Sequence, residues 1–169
     1  MPSVDADPRG RRHRRLLVVG LVVAVVALDQ VTKAWATSAL RDGPISIIGS
    51  TVAFQLARNT GSAFSLFQTV TPLLAVLAVV LVAVLVRSLN RSEDRTVLVA
   101  LALVLGGALG NVADRLFRAP GFLHGAVVDF IKVGGWPTFN VADAAITIGA
   151  VLLVAWSLLS SRSGVAPDR

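Results

Sequence analysis

Four apolar stretches divide this chain, and their length leaves few folds open to it. They run from Leu16 to about Leu40, from about Pro72 to Val86, from about Val97 to Val112 and from about Phe139 to Leu159. At about 1.5 Å of rise per residue the first reaches roughly 37 Å, enough to cross a bilayer with tilt. The second and third are shorter, but Thr69 to Thr71 and their polar ends extend them. With 54% hydrophobic residues, 15% charged ones and a mean hydropathy of +0.73, the chain is too apolar for a soluble domain of 169 residues. The expected class is an all-α membrane protein with four transmembrane helices.

The net charge of +6 and pI near 11.4 could suggest nucleic acid. The basic residues cluster instead at the ends of the apolar segments, so topology accounts for them and no nucleic-acid partner is expected. Arginines 9, 11, 12, 14 and 15 precede the first stretch, 87, 91 and 95 lie between the second and third, and 162 and 169 follow the fourth. The opposite loops carry Lys33, Arg41, Arg58, Arg115, Arg118 and Lys132, spread over many more residues. The positive-inside rule then places both termini and the tight middle loop in the cytoplasm. The expected organisation is a basic tail over 1–15, one four-helix domain over 16–160 and a second tail over 161–169. Its outward loops span about 41–68 and 113–138. Ala34-Trp35-Ala36 fits a signal-cleavage pattern, but Asp29, Gln30 and Lys33 interrupt the region before it and three spans follow, so the first helix is expected to stay.

The first outward loop is no passive linker. Ile45 to Ile48 and Val52 to Leu56, separated by Gly49-Ser50-Thr51, read as two short strands and a turn, the core of a small extracytoplasmic β-sheet element. Such a sheet could accept an extended peptide as a further strand. The absence of cysteine excludes disulfides, thiolate catalysis and Cys-ligated metal. His13 and His124 are the sole imidazoles, so a metal site is not expected. Chemistry must come from oxygen and Lys/Arg groups, with no cofactor.

Asp129, in the apolar run Ala126 to Ile131, and Asp143, near the start of the fourth span, stand where charge is costly. Together they suggest a water-activating acid/base pair, although Asp143 also suits a helix N-terminal cap. Asn140, Asp143 and Thr147 share one helical stripe, and Asn140 can cap or can partner a carboxylate. Asp29 and Lys33, spaced i, i+4, fit a structural ion pair. Asn111, Asp114 and Arg115 follow Gly106-Gly107-Ala108-Leu109-Gly110, whose small residues let helices approach closely. Arg115 could snorkel or could pair with a carboxylate. Asn59 and Gly61, in Arg58 to Ser65, offer either a plain turn or contacts to a peptide backbone. Ser62 or Ser65 with Lys33 would make a Ser/Lys nucleophile conceivable, but no G-x-S-x-G elbow or H-E-x-x-H helix supports a serine or zinc hydrolase.

Five motifs in order on four spans resemble the lipoprotein signal peptidases, or signal peptidase II. They are Asp29-Gln30-x-x-Lys33, Asn59-Thr60-Gly61-Ser62-Ala63-Phe64-Ser65, Gly106-Gly107-Ala108-x-Gly110-Asn111-x-x-Asp114-Arg115, Gly125-x-Val127-Val128-Asp129-Phe130 and Phe139-Asn140-x-Ala142-Asp143. Ser62 and Ala144 stand where other small residues are common, and the tails lie outside the resemblance. The resemblance implies a monomeric aspartic endopeptidase of the bacterial cytoplasmic membrane, with its active site near the outer face. It also implies diacylglyceryl-modified prolipoprotein substrates and contact with membrane lipids. Carried over by motif, Asp129 and Asp143 are the catalytic pair. Asn59, Gly61, Asn111, Arg115 and Asn140 support substrate or the pair, while Asp29, Lys33 and Asp114 are structural.

Intramembrane Asp, Lys, Asn and Arg also mark ion- or proton-coupled transporters, but no inverted repeat or broken central helix accompanies them here. A noncatalytic membrane assembly factor is a third reading. Asparagine at positions 129 and 143 separates these readings, since only the peptidase loses precursor processing.

Overall fold

A chain in lipid must satisfy its own backbone groups, and an unclosed chain does so as helices. The computed structural model describes residues 8–60, 71–119 and 121–162. Four helices form its body: α1 (Pro8–Ala39), α2 (Thr71–Leu89), α3 (Arg95–Phe117) and α4 (Val141–Arg162). Helices α1, α3 and α4 are each long and apolar enough to cross a membrane. The 19 residues of α2 reach about 28 Å, close to the thickness of a hydrocarbon core. Helix α1 begins at Pro8, ahead of the apolar run at Leu16, because proline suits a first helical turn and arginine is a good helix former. Residues 8–15 of the expected basic tail therefore belong to the helix.

Helix α3 is the central one, with 61% of its span buried against 17% for α1 and for α4. Glycines on its surface set that closeness. A Cβ on Gly106 would lie 2.8 Å from the Cβ of Val25 in α1, and one on Gly107 would meet the Ala142 carbonyl and the Ile146 side chain of α4. The outer faces of the bundle carry exposed Val23, Val31, Val151, Val154 and Leu158, an apolar surface that suits acyl chains rather than water.

Two features fix which helix ends lie together. Arg14 of α1 reaches Glu93, between α2 and α3, at 3.9 Å. Asp94 caps α3 by accepting from the N–H groups of Thr96 and Val97, and also accepts from Trp156 Nε1 of α4 at 3.0 Å. The start of α1, the α2–α3 turn and the end of α4 therefore share one end of the bundle, as the arginine pattern requires.

At the other end lies a three-stranded antiparallel sheet in the order β1-β2-β3, formed by β1 (Ile45–Ile48), β2 (Val52–Asn59) and β3 (Val127–Val133). The first two strands and their turn are those expected, with β2 continuing past Leu56 to Asn59. The third arises within the segment read as a loop. Val127, Val128, Ile131 and Val133 are β-branched and are bounded by Gly125 and Gly134-Gly135, a composition that favours strand over loop. Asp129 faces Ala57 across the β2–β3 pair, and Val127 faces Asn59. The far side of β3 is occupied: Phe139 exchanges backbone hydrogen bonds with Ile131, and the Val128 N–H goes to Asp114 at 3.1 Å. Among the described residues the edge of the sheet that remains for a peptide is β1, two strands from Asp129.

An aromatic triangle seats the sheet on α1. The rings of Trp35 and Phe54 meet edge-to-face at 5.2 Å, and Phe130 lies 6.1 and 6.3 Å from them. Such contacts contribute about 1 kcal/mol each beyond area burial. Phe130 packs with buried Ala36 and Leu40, which fixes the backbone beside Asp129.

Candidate active site

The polar residues singled out from the sequence, where described, gather at the junction of α1, α3, the end of β2, β3 and the start of α4. Gly61, Ser62 and Ser65 fall outside the described residues. The foundation is a buried ion cluster. Lys33 Nζ lies 2.8 Å from Asp29 and 2.9 Å from Asp114, all three side chains being fully buried. Its third hydrogen bond goes to Asn111 Oδ1 at 3.0 Å, so the three ammonium protons are all matched. The expected Asp29–Lys33 pair is present, and Asp114 completes it.

This cluster ties the elements together. Asp29 accepts the Ala142 N–H of α4 at 3.0 Å, while Asp114 accepts the Val128 N–H of β3. Gln30 bridges Asp29 and Asp114 at 3.2 and 3.1 Å, and Arg118 holds Asp114 at 2.6 Å. Gly125 brings β3 under the end of α3. A Cβ there would lie 3.0 Å from the carbonyl oxygens of Arg115 and Arg118.

Above the cluster stand the two aspartates. Asn111 turns its oxygen to Lys33 and so presents its amide nitrogen to Asp143 Oδ1 at 2.9 Å. Buried positive charge thereby fixes which end of that amide faces the aspartate. Asn140 begins α4 with a reciprocal cap: its Oδ1 accepts from the Asp143 N–H at 2.9 Å, and its own N–H goes to Asp143 Oδ2 at 3.2 Å. The sequence left the cap to either residue, and the two share it. With its oxygen so engaged, Asn140 directs Nδ2 to Asp129 Oδ1 at 2.6 Å.

Asp129 is 2% exposed. Burial first, and the neighbouring Asp143 charge second, push its carboxyl up to about 6, against the lowering pull of hydrogen bonds from Asn59 and Asn140. A carboxyl of this kind exchanges a proton near neutral pH, next to a second carboxylate that holds two donated hydrogen bonds. Arg115 makes no ion pair among the described residues, and its buried Nε has no hydrogen-bond partner. Arg118, four residues after Asp114, takes the carboxylate that Arg115 could have paired with; its i, i+4 spacing was the available signal. Gln30 carries no comparable spacing signal. Among the described residues no cluster of His, Asp and Glu is arranged to hold a metal ion.

Comparison with known proteins agrees with this architecture. The family described as signal peptidase (SPase) II matches residues 21–159. The lipoprotein signal peptidase of Rhodococcus jostii (strain RHA1) is 44% identical over 99% of this chain and 83% of its own length. That of Mycobacterium avium (strain 104) is 45% identical over 93% of this chain and 87% of its own. A solved structure described as a bacterial membrane enzyme shares the fold with a TM-score of 0.75 and 29% identity, over 84% of this chain and 92% of that one. A membrane-embedded helical body and similarity over nearly its whole length lead to one conclusion: the chain belongs to the signal peptidase II family and is a protease of the aspartic type.

Proposed function

We propose that this protein removes signal peptides from diacylglyceryl-modified prolipoproteins by aspartate-activated attack of water on the peptide bond before the lipidated cysteine. Family membership and relatives named lipoprotein signal peptidase support the substrate class. The observation that carries the mechanism is the double grip of Asn140, which bonds Asp129 at 2.6 Å and Asp143 at 3.2 Å and so holds both carboxylates at one residue.

Burial and the neighbouring Asp143 charge both favour a proton on Asp129. Asp129, pushed up to about 6, holds that proton and protonates the scissile carbonyl oxygen. Asp143, with a donor on each oxygen, removes a proton from the attacking water; as the tetrahedral intermediate collapses the C–N bond breaks, that proton passes to the departing amine and Asp129 recovers its own. No acyl-enzyme forms and no metal or organic cofactor takes part. The buried Nε of Arg115 is a donor for the substrate backbone, and Asn59, Gly61 and Asn111 complete the supporting set. Asp29, Lys33 and Asp114 hold the helices in register.

The arginine asymmetry supports a multi-pass protein of the cytoplasmic membrane with both termini inside, its sheet and aspartates near the outer face, acting as a monomer. There the lipid chains of the substrate stay in the bilayer while its backbone crosses the polar junction, so lipid and signal helix both contribute to recognition.

The test is cleavage of a purified diacylated precursor. Asp129→Asn and Asp143→Asn should each abolish turnover while leaving the protein folded and inserted. Retained activity in either removes the mechanism, and equal cleavage of the unlipidated precursor removes the lipid requirement.

A further inference from the structure

The basic end of the bundle, opposite the aspartates, holds a cavity of about 430 Å³ that the proteolytic mechanism does not use. We propose that it seats one anionic phospholipid. The first wall is a single face of α1. Arg11, Arg14, Arg15, Val18 and Val19 follow the i, i+3, i+4, i+7, i+8 spacing, so the same stripe changes from guanidinium to apolar within two turns. The second wall repeats the gradient, with Arg91 in the α2–α3 turn and Leu89 and Val86 below it in α2. Buried Leu98 and Leu105 of α3 close the floor.

Both walls therefore run from charged to apolar in the same direction, from the helix ends toward the middle of the membrane. A phosphodiester head at the rim with acyl carbons along the floor matches that gradient, and guanidinium groups match phosphate through paired hydrogen bonds. Four arginines line the cavity against one acid, Glu93, whose side chain is 81% exposed and already lies beside Arg14. A soluble anion would satisfy the rim and leave the valines and leucines unused. The positive-inside pattern explains why arginines stand at this end, but it does not explain an apolar-floored hollow between them. The volume takes the phosphate head and the first acyl carbons, and the rest of the chains continues along the apolar outer face of the bundle.

The experiment is native mass spectrometry of the full chain released from nanodiscs of mixed phosphatidylglycerol and phosphatidylcholine. One phosphatidylglycerol should remain on the wild-type protein. Arg11→Gln/Arg15→Gln should lower its retention by about 30-fold, the effect of two arginines at a lipid surface. Val19→Trp, at a position 59% exposed, should lower it as well by filling the cavity from its α1 wall without changing charge. Arg87→Gln/Arg95→Gln removes equal charge from exposed residues at the same end that do not line the cavity, and should retain the lipid. Millimolar glycerol phosphate should not displace it. Equal loss in the Arg87/Arg95 control would reduce the effect to general attraction. Unchanged retention in Val19→Trp, or displacement by glycerol phosphate, would overturn the lipid site in favour of a soluble anion. Unfolding midpoints of all variants identify any that fail to fold, and for those Arg11→Gln and Arg15→Gln singly give the same readout.

Discussion

Asn140 holds Asp129 by a side-chain hydrogen bond of 2.6 Å while its own oxygen is committed to capping α4. One residue thus joins the cap of α4 to the proposed acid–base pair, and substitutions separate the two roles. Asn140→Ala loses both, with kcat falling roughly 10²-fold, the lower range for a positioned acid–base group. The lost cap costs about 1 kcal/mol. Asn140→Ser keeps a good capping oxygen without adding charge but gives Asp129 no amide donor. Its unfolding midpoint should stay closer to wild type than that of Asn140→Ala while kcat stays low. Recovery of activity alongside stability in Asn140→Ser would assign the residue to folding alone.

The pH profile carries the signature of Asp129. Its carboxyl, raised to about 6 chiefly by burial, keeps its proton below that value and loses it above. If the protonated form is the acid, kcat/KM falls as pH rises through that value. Asn59 bonds the carboxylate and so favours its charged form. Asn59→Ala should move the falling limb to higher pH. A limb that stays in place or moves down would separate Asp129 from the ionisation being followed.

Gly110 leaves no room for a methyl group. A Cβ there would stand 2.5 Å from Asp29 Oδ2, and that carboxylate is pinned by Lys33 and by the Ala142 N–H. Gly110→Ala should cost about 2 kcal/mol through overpacking. Gly20→Ala meets nothing within 4 Å and should gain up to about 1 kcal/mol from helix propensity. Thermal unfolding in detergent reads both, and a neutral Gly110→Ala would mean that α1 and α3 shift apart freely.

Lys33 neutralises two fully buried carboxylates. Lys33→Met should cost about 3–5 kcal/mol, because it leaves uncompensated charge in the bundle. Combining it with Asp29→Asn should recover part of that loss, since Arg118 still faces Asp114. A Lys33→Met protein as stable as wild type would show that those carboxylates are protonated without it.

The helices were legible because apolar length in a membrane leaves little choice, and β1 and β2 because a glycine turn separates two short apolar runs. The strand β3 was harder to read. Its alternation is hidden, since Val127 to Phe130 are all buried and read as one apolar run that fits a loop or a helix as well. The i, i+4 pairing of Asp29 with Lys33 could be read from spacing, whereas the arrival of Asp114 at the same ammonium depends on how α3 packs on α1. The convergence of Asp129 and Asp143 on Asn140 likewise depends on β3 turning back through the Phe139 bridge, which no local pattern encodes.

The helices are unequally anchored. Helices α1, α3 and α4 grip one another where glycines remove side-chain bulk, whereas α2 contains no glycine and, among the described residues, rests on α3 alone. Loosening therefore begins at α2, the helix with the fewest neighbours to hold it. The junction of Asp129, Asn140 and Asp143 is built on β3 and on the three mutually packed helices, so its geometry does not depend on where α2 sits.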